Sequence, residues 1–130
     1  MRNRGRIDLP ARNLLRTIAI LTLGMLSGMP TAGHAILVES VPAANSTVRG
    51  PDVNIRLRFN SRIDAGRSRL TLVLPDGATE PLKLGEQPSA DTLTSAVTGM
   101  KRGDYKIQWQ VLAADGHITR GEIRFTVGGA

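Results

Sequence analysis

The segment Val53-Asn-Ile-Arg-Leu-Arg-Phe-Asn60 decides the fold class, because its apolar and polar residues alternate over eight positions. Every second residue, beginning with Val53, is apolar, and the residues between them are asparagine or arginine. A period of two residues is typical of a β-strand with one buried face and one solvated face. We therefore predict a half-buried strand here.

Similar segments recur on both sides of this strand. We predict six further strands, at Ile36–Ser40, Arg69–Leu74, Glu80–Leu84, Thr92–Val97, Asp104–Leu112 and Ile118–Val127. Pro75-Asp-Gly77 indicates a hairpin turn between two of them, and Gly85–Asp91 a polar surface loop. No window shows a sustained apolar stripe of helical period, so no long helix is expected. The predicted fold is all-β: a single seven-stranded Greek-key β-sandwich, immunoglobulin-like.

The first 33 residues have the composition of an export signal. Arg2–Arg16 is basic, Thr17–Met29 is an apolar run of 13 residues, and small residues follow as far as Gly33. A transmembrane helix needs about 20 apolar residues. We therefore predict that residues 1–33 are a cleaved secretory signal peptide, in preference to an uncleaved membrane anchor.

The predicted mature chain starts at His34 and has 97 residues. Cleavage after Ala35 is the alternative. The first 33 residues carry five arginines and one aspartate, so their removal lowers the formal net charge from +6 to +2. This near-neutral balance argues against nucleic-acid binding. The chain has no cysteine, which excludes disulfides, a thiol nucleophile and thiolate metal sites.

The two histidines, His34 and His117, are the residues best suited to metal chemistry. At a free N-terminus, the α-amine and imidazole Nδ1 of His34 can chelate one metal ion, since the ordinary pKa of such an amine is only about 7.7–8.0. Asp115 lies two residues before His117, so in extended backbone their side chains leave the same face. This set of nitrogen and oxygen donors suits Cu(II).

The residues around His117 also admit simpler interpretations. Asp115-Gly116 by itself is more typical of a hairpin turn, between a strand that ends near Leu112 and one that begins near Ile118. A turn can still carry a metal ligand, so the two roles are compatible. With only two histidines in the chain, a Ser-His-Asp triad is not expected.

Several segments together resemble one protein family. His34-Ala-Ile-Leu-Val-Glu-Ser-Val-Pro-Ala-Ala-Asn-Ser46 is similar to the mature start of CopC-type periplasmic copper-resistance proteins, which begin with His-Ala, a strand and a Ser-x-Pro-Ala segment. The family's closing strands resemble Gly103-Asp-Tyr-Lys-Ile-Gln-Trp109, Asp115-Gly-His117 and Gly121-Glu-Ile-Arg-Phe-Thr-Val127. The likeness spans essentially all of residues 34–130.

The resemblance implies a periplasmic copper-binding β-domain over residues 34–130, with a seven-stranded β-sandwich or barrel that is immunoglobulin-like or cupredoxin-like. Its Cu(II) ligands would be the amine and imidazole of His34, together with Asp115 and His117, and this single set predicts one Cu(II) per chain. The implied role is a copper carrier or buffer in copper resistance or homeostasis, not an enzyme. The implied partner is an inner-membrane copper transporter.

The sequence departs from the family pattern in two places. Some members have a second, Cu(I) site in a methionine-rich loop, whereas Met100 is the single methionine of the predicted mature chain, so we expect no Cu(I) site. Some members also place a glutamate shortly after the second strand. Phe59-Asn-Ser-Arg62 offers no carboxylate there, so we expect no fourth side-chain ligand from that strand.

Two functions of other classes remain as alternatives. An N-terminal histidine with a second histidine also holds copper in oxidative polysaccharide-cleaving monooxygenases, and a structural β-sandwich needs no metal at all. A mature chain of 97 residues leaves little room for a polymer-binding face. A carboxylate ligand also stabilises Cu(II) over Cu(I), which disfavours redox cycling. We therefore favour the non-catalytic interpretation.

Overall fold

A computed structural model of the protein describes residues 34–129. The predicted signal peptide, residues 1–33, lies outside the described residues, as does Ala130. The described part has no helix, and so none that could cross a membrane. Its eight strands are β1 (Leu37–Val41), β2 (Ser46–Arg49), β3 (Val53–Phe59), β4 (Ile63–Val73), β5 (Thr79–Leu82), β6 (Thr92–Val97), β7 (Gly103–Ala113) and β8 (Ile118–Gly128).

The strands form two sheets that pack into a β-sandwich. One sheet has the order β1-β3-β6 and the other the order β2-β8-β7-β4-β5. The predicted fold class is therefore confirmed, with eight strands in place of seven. The additional strand is β2, which pairs in parallel with β8. Sequence patterning missed it because Val48 is the single apolar residue of Ser46–Arg49.

Strand β4 is longer than the sequence predicted. It begins at Ile63 instead of Arg69, and its pairing with β7 shifts register between Asp64 and Arg69. The side chain of Ser68 bridges this irregularity, because its Oγ donates to the carbonyl of Asp64 at 2.6 Å and accepts the N–H of Leu112 at 3.1 Å. A bulge interrupts the two-residue alternation, so the first half of β4 carries no strand pattern.

The predicted hairpin turn at Pro75-Asp-Gly77 is present between β4 and β5. The N–H of Leu74 donates to the carbonyl of Ala78 at 2.8 Å, and Gly77 has a φ of +90°. A glycine adopts this left-handed conformation without the steric cost that a Cβ atom adds. The turn chemistry therefore explains the sharp reversal of the chain.

The inward faces of both sheets form one hydrophobic core. The alternation that predicted β3 is observed directly, with its apolar residues buried and the residues between them mostly exposed. Phe59 packs edge-on against Trp109 with ring centroids 5.2 Å apart, and Tyr105 stacks on Phe125 at 5.8 Å. Trp109 and Tyr105 are therefore core residues. This aromatic packing stabilises a small domain that has no disulfide.

Gly121 lies opposite Trp109 across the β7–β8 ladder, and the indole packs directly on its backbone. A Cβ atom at position 121 would lie 2.3 Å from Cζ2 of Trp109. Two carbon atoms that are not bonded to each other cannot approach so closely, so any side chain at position 121 displaces the ring.

We expect Gly121→Ala to lower the free energy of unfolding by about 1–3 kcal/mol, the usual cost of overpacking a core. Urea unfolding of the metal-free protein measures this change in the free energy of unfolding. Gly66→Ala is the matched control, because the nearest atom to its Cβ would be Oδ1 of Asp64 at 3.4 Å. Equal stability of the two variants would contradict this account of the core.

The predicted loop Gly85–Asp91 contains no strand, as expected, and its end is bonded to the sandwich. The N–H of Phe59 donates to the carbonyl of Asp91 at 2.9 Å, and the N–H of Ile63 donates to the carbonyl of Ala90 at 2.8 Å. These two bonds lie on either side of the turn between β3 and β4. The loop therefore helps to fix that turn.

The carboxylate of Asp91 organises the loop end. Its Oδ1 accepts hydrogen bonds from Oγ of Ser89 at 2.7 Å and from Oγ1 of Thr92 at 2.8 Å. Both bonds favour the ionised form and lower the pKa of Asp91 below its ordinary value of 3.8. Unfolding removes them, so the ionised form stabilises the folded state at neutral pH.

When the pKa of a carboxyl group is lower in the folded state than in the unfolded state, its ionisation stabilises the fold at pH values above the unfolded pKa. This stabilisation is lost as the pH falls through the folded pKa. We expect Asp91→Asn to be less stable than the native chain at pH 7, and the difference to shrink below about pH 4. Urea unfolding at pH 7, 4 and 3 measures both. A difference that is independent of pH would show that the charge of Asp91 is not involved.

Candidate metal centre

The loop between β7 and β8 carries two of the three predicted site residues. The N–H of Ala113 donates to the carbonyl of His117, and the N–H of Gly116 donates to the carbonyl of Ala113, both at 2.9 Å. Gly116 has a φ of +89°, a conformation that favours glycine. Asp115-Gly116 is thus a turn, and the turn sets the Asp115 and His117 side chains against each other.

The carboxylate of Asp115 holds His117 by two contacts. Its Oδ1 accepts the backbone N–H of His117 at 3.1 Å, and its Oδ2 lies 2.6 Å from imidazole Nδ1. The bond to the imidazole, and then the bond from the backbone N–H, lower the pKa of Asp115, which is therefore ionised at neutral pH. A histidine held through Nδ1 presents Nε2 as its metal-binding atom. The side chain of His117 is 65% exposed, so that atom is accessible.

The imidazole of His34 lies next to that of His117, although the two residues are far apart in the sequence. Their ring centroids are 5.3 Å apart and the rings are tilted by 52°. A metal ion about 2.0 Å from one nitrogen of each ring lies roughly 3 Å from each centroid. Both rings can therefore reach one ion. The structure thus brings together all three residues predicted from the sequence, His34, Asp115 and His117.

Two residues that follow His34 fix its place. Ala35 is 1% exposed and belongs to the core. Ile36 is held by Asn60: its N–H donates to Oδ1 of Asn60 at 2.8 Å, and its carbonyl accepts the N–H of Asn60 at 2.9 Å. In the sequence, Asn60 ends the predicted strand that begins at Val53 and stands in the segment that offers no carboxylate. No sequence pattern reveals this contact, because it joins segments that are distant in the chain.

The donor atoms are not yet assembled as a complete coordination shell. Across residues 34–129, no three His, Cys, Asp or Glu side chains form a ready-made metal-binding group. Oδ2 of Asp115 is turned to the imidazole of His117. A terminal amine at His34 would form only if the preceding residues were removed. Two imidazoles, one carboxylate and a terminal amine would form a nitrogen and oxygen donor set that fits Cu(II).

Comparison with known proteins identifies the family. The sequence model of the CopC domain matches residues 37–128, which is almost the whole described domain. The chain belongs to the CopC family. The predicted resemblance is therefore confirmed. The matched residues include β1 and the β7–β8 hairpin, the two parts of the fold next to the candidate site.

Individual relatives of the chain match over most of their length. The chain is 32% identical over 120 residues to Protein YobA of Escherichia coli K12, which is 90% of this chain and 96% of that protein. It is 30% identical over 121 residues to copper resistance protein C of Xanthomonas campestris pv. juglandis, which is 87% of this chain and 94% of that protein. The crystal structure of CopC from Methylosinus trichosporium OB3b aligns with a TM-score of 0.65 and 27% identity, covering 72% of this chain and 93% of that one.

Membership of the CopC family also bears on the class of function. Proteins of this family are copper-binding resistance proteins of the periplasm and are not enzymes. The interpretation as a non-catalytic, copper-related protein is therefore confirmed, and the oxidative-enzyme and purely structural alternatives are not supported.

Proposed function

We propose that the protein is a periplasmic Cu(II) carrier or buffer that acts in copper resistance or homeostasis through an N-terminal histidine site. One observation carries the proposal: the His34 and His117 rings lie 5.3 Å apart, beside the Asp115 carboxylate. Family membership and the name of copper resistance protein C support copper as the cargo.

The proposed ligands are the α-amine and imidazole of His34, the imidazole of His117 and the carboxylate of Asp115. Three nitrogens and one anionic oxygen suit the tetragonal preference of Cu(II). In the structure Oδ2 of Asp115 contacts the imidazole of His117, so Cu(II) would compete with the imidazole for this oxygen. Met100 is buried in the core at 7% exposure, which supports the expectation of no Cu(I) site.

The site requires that residues 1–33 be removed as a signal peptide, with cleavage after Gly33. The burial of Ala35 supports this position over cleavage after Ala35. Cleavage after Ala35 would take a methyl group out of the core and would also remove His34. Cleavage after Gly33 keeps the core complete and converts the amide nitrogen of His34 into an amine.

A carrier role is consistent with the exposure of the site. His34 is exposed, as is most of the His117 side chain, so an incoming ligand from another protein can reach a bound ion. Ligand exchange of this kind transfers a metal without releasing it to water. The proposed recipient or donor is an inner-membrane copper transporter.

The first copper prediction concerns the chain start. A chain that begins at His34 should bind one Cu(II), and one added glycine before His34 should weaken binding by more than about 100-fold, beyond the 10–100-fold typical of an outer-shell loss. The added residue turns the amine into an amide, which coordinates only after it loses a proton. Competition titration against a Cu(II) chelator measures the affinity, and intact mass verifies the chain start.

The same titration has clear opposing outcomes. The extended chain should unfold like the native chain without metal, because the addition is exposed. Unchanged affinity would show that the amine is not a ligand. Two bound ions per chain, or tighter binding of Cu(I) than of Cu(II), would contradict the proposed donor set.

The second copper prediction separates Asp115 from His117. Both His117→Ala and Asp115→Asn should weaken Cu(II) binding, with His117→Ala the more severe because it removes a strong imidazole donor. Asp115→Asn should also shift the balance towards Cu(I), since it removes the negative charge that stabilises the dication. Cu(II) and Cu(I) competition titrations are read beside metal-free thermal unfolding. Normal binding with early unfolding of Asp115→Asn would mean that Asp115 serves only the turn.

A further inference from the structure

The turn between β3 and β4, residues 60–62, contacts both halves of the candidate metal centre. At its start, Asn60 exchanges two hydrogen bonds with Ile36, two residues after His34. At its end, the carbonyl of Arg62 accepts the N–H of Ala114 at 3.1 Å, at the start of the loop that carries His117. One three-residue turn therefore joins the two segments that bring the histidines together.

This turn is itself held on both sides. Phe59 and Ile63, the residues that precede and follow it, are 1% and 5% exposed. Their N–H groups donate to the carbonyls of Asp91 and Ala90 at 2.9 and 2.8 Å. The turn is thus fixed by core packing and by a second loop, and it can act as a rigid reference for the segments bonded to it.

The N-terminal segment depends on such a reference. The β1–β3 ladder begins with the pair Leu37–Phe59, so His34 and the two residues after it lie beyond the ladder. Chain ends fray unless they are tied down. Oδ1 of Asn60 accepts the N–H of Ile36 at 2.8 Å and so extends the pairing by one residue past the end of the strand.

We infer that Asn60 is a positioning residue for the metal centre: it holds Ile36, and thereby keeps His34 within reach of His117, without binding the ion itself. The inference rests on the proposed function, because it requires that His34 be a ligand. A side chain that orients a ligand raises affinity by raising the fraction of molecules in the binding-competent arrangement.

The test compares three variants of the mature chain. Asn60→Leu keeps the size of the side chain and removes the acceptor, whereas Asn60→Asp keeps the acceptor. Asn54→Leu is the matched control, because Asn54 is exposed at the other end of β3. We expect Asn60→Leu to raise the Cu(II) dissociation constant about 10–100-fold, the range for outer-shell partners. Asn60→Asp and Asn54→Leu should stay near the native value.

Three further measurements separate positioning from other roles. In the metal-free protein, the amide hydrogen of Ile36 should exchange faster in Asn60→Leu and stay protected in Asn60→Asp. The electron paramagnetic resonance spectrum of saturated Asn60→Leu should match that of the native protein, because its ligands are unchanged. Titration at high salt removes the long-range attraction of the added charge in Asn60→Asp. The spectrum of saturated Asn60→Asp should also match that of the native protein, which tests whether the new carboxylate has become a ligand.

The outcomes distinguish this inference from the proposed function. Unchanged Cu(II) affinity in His34→Ala would overturn the proposed function. Weak binding by His34→Ala with native affinity in Asn60→Leu would overturn the inference alone. A changed spectrum in Asn60→Leu would make Asn60 a ligand and would equally overturn it. If Asn60→Leu unfolds, Asn60→Ala carries the test, and native affinity there rejects the inference.

Discussion

The hairpin of β7 and β8 is the constraint on which the rest of the structure depends. Ten consecutive residue pairs, from Gly103–Val127 to Leu112–Ile118, join the two strands without a register shift. Strand β7 is also central in its sheet and pairs with β4 on its other side. Because the loop closes directly beyond the last pair, the position of His117 follows from the packing of the whole sheet.

The core that supports this hairpin relies on close packing in place of covalent links. Trp109 lies between the ring of Phe59 in the opposite sheet and the bare backbone of Gly121 in the neighbouring strand. Small domains bury a limited fraction of their surface, so each well-packed aromatic ring contributes substantially to stability. The same packing buries Ala35, which connects the core to the residue that precedes it, His34.

The candidate metal centre has two parts, one on the turn between β7 and β8 and one at His34. Asp115 orients the imidazole of His117 through two contacts, so the fold fixes the position of this ring. The His34 half has its imidazole in place, held through Ile36 and Asn60, but its amine would form only on cleavage. A turn that is ordinary in sequence therefore contributes to the candidate site, because its imidazole lies beside that of His34.

The sequence by itself determined the strands with clean alternation and the all-β class, and it singled out the candidate metal-binding residues. Alternation is a local property, since each side chain's face follows from its neighbours along the strand. The sequence did not reveal β2, whose partner is a distant parallel strand, or the first half of β4, where a bulge breaks the period. Only the tertiary structure decided that His34 lies beside His117 and that Asn60 holds Ile36, because these contacts join residues that are distant in the chain and leave no local pattern.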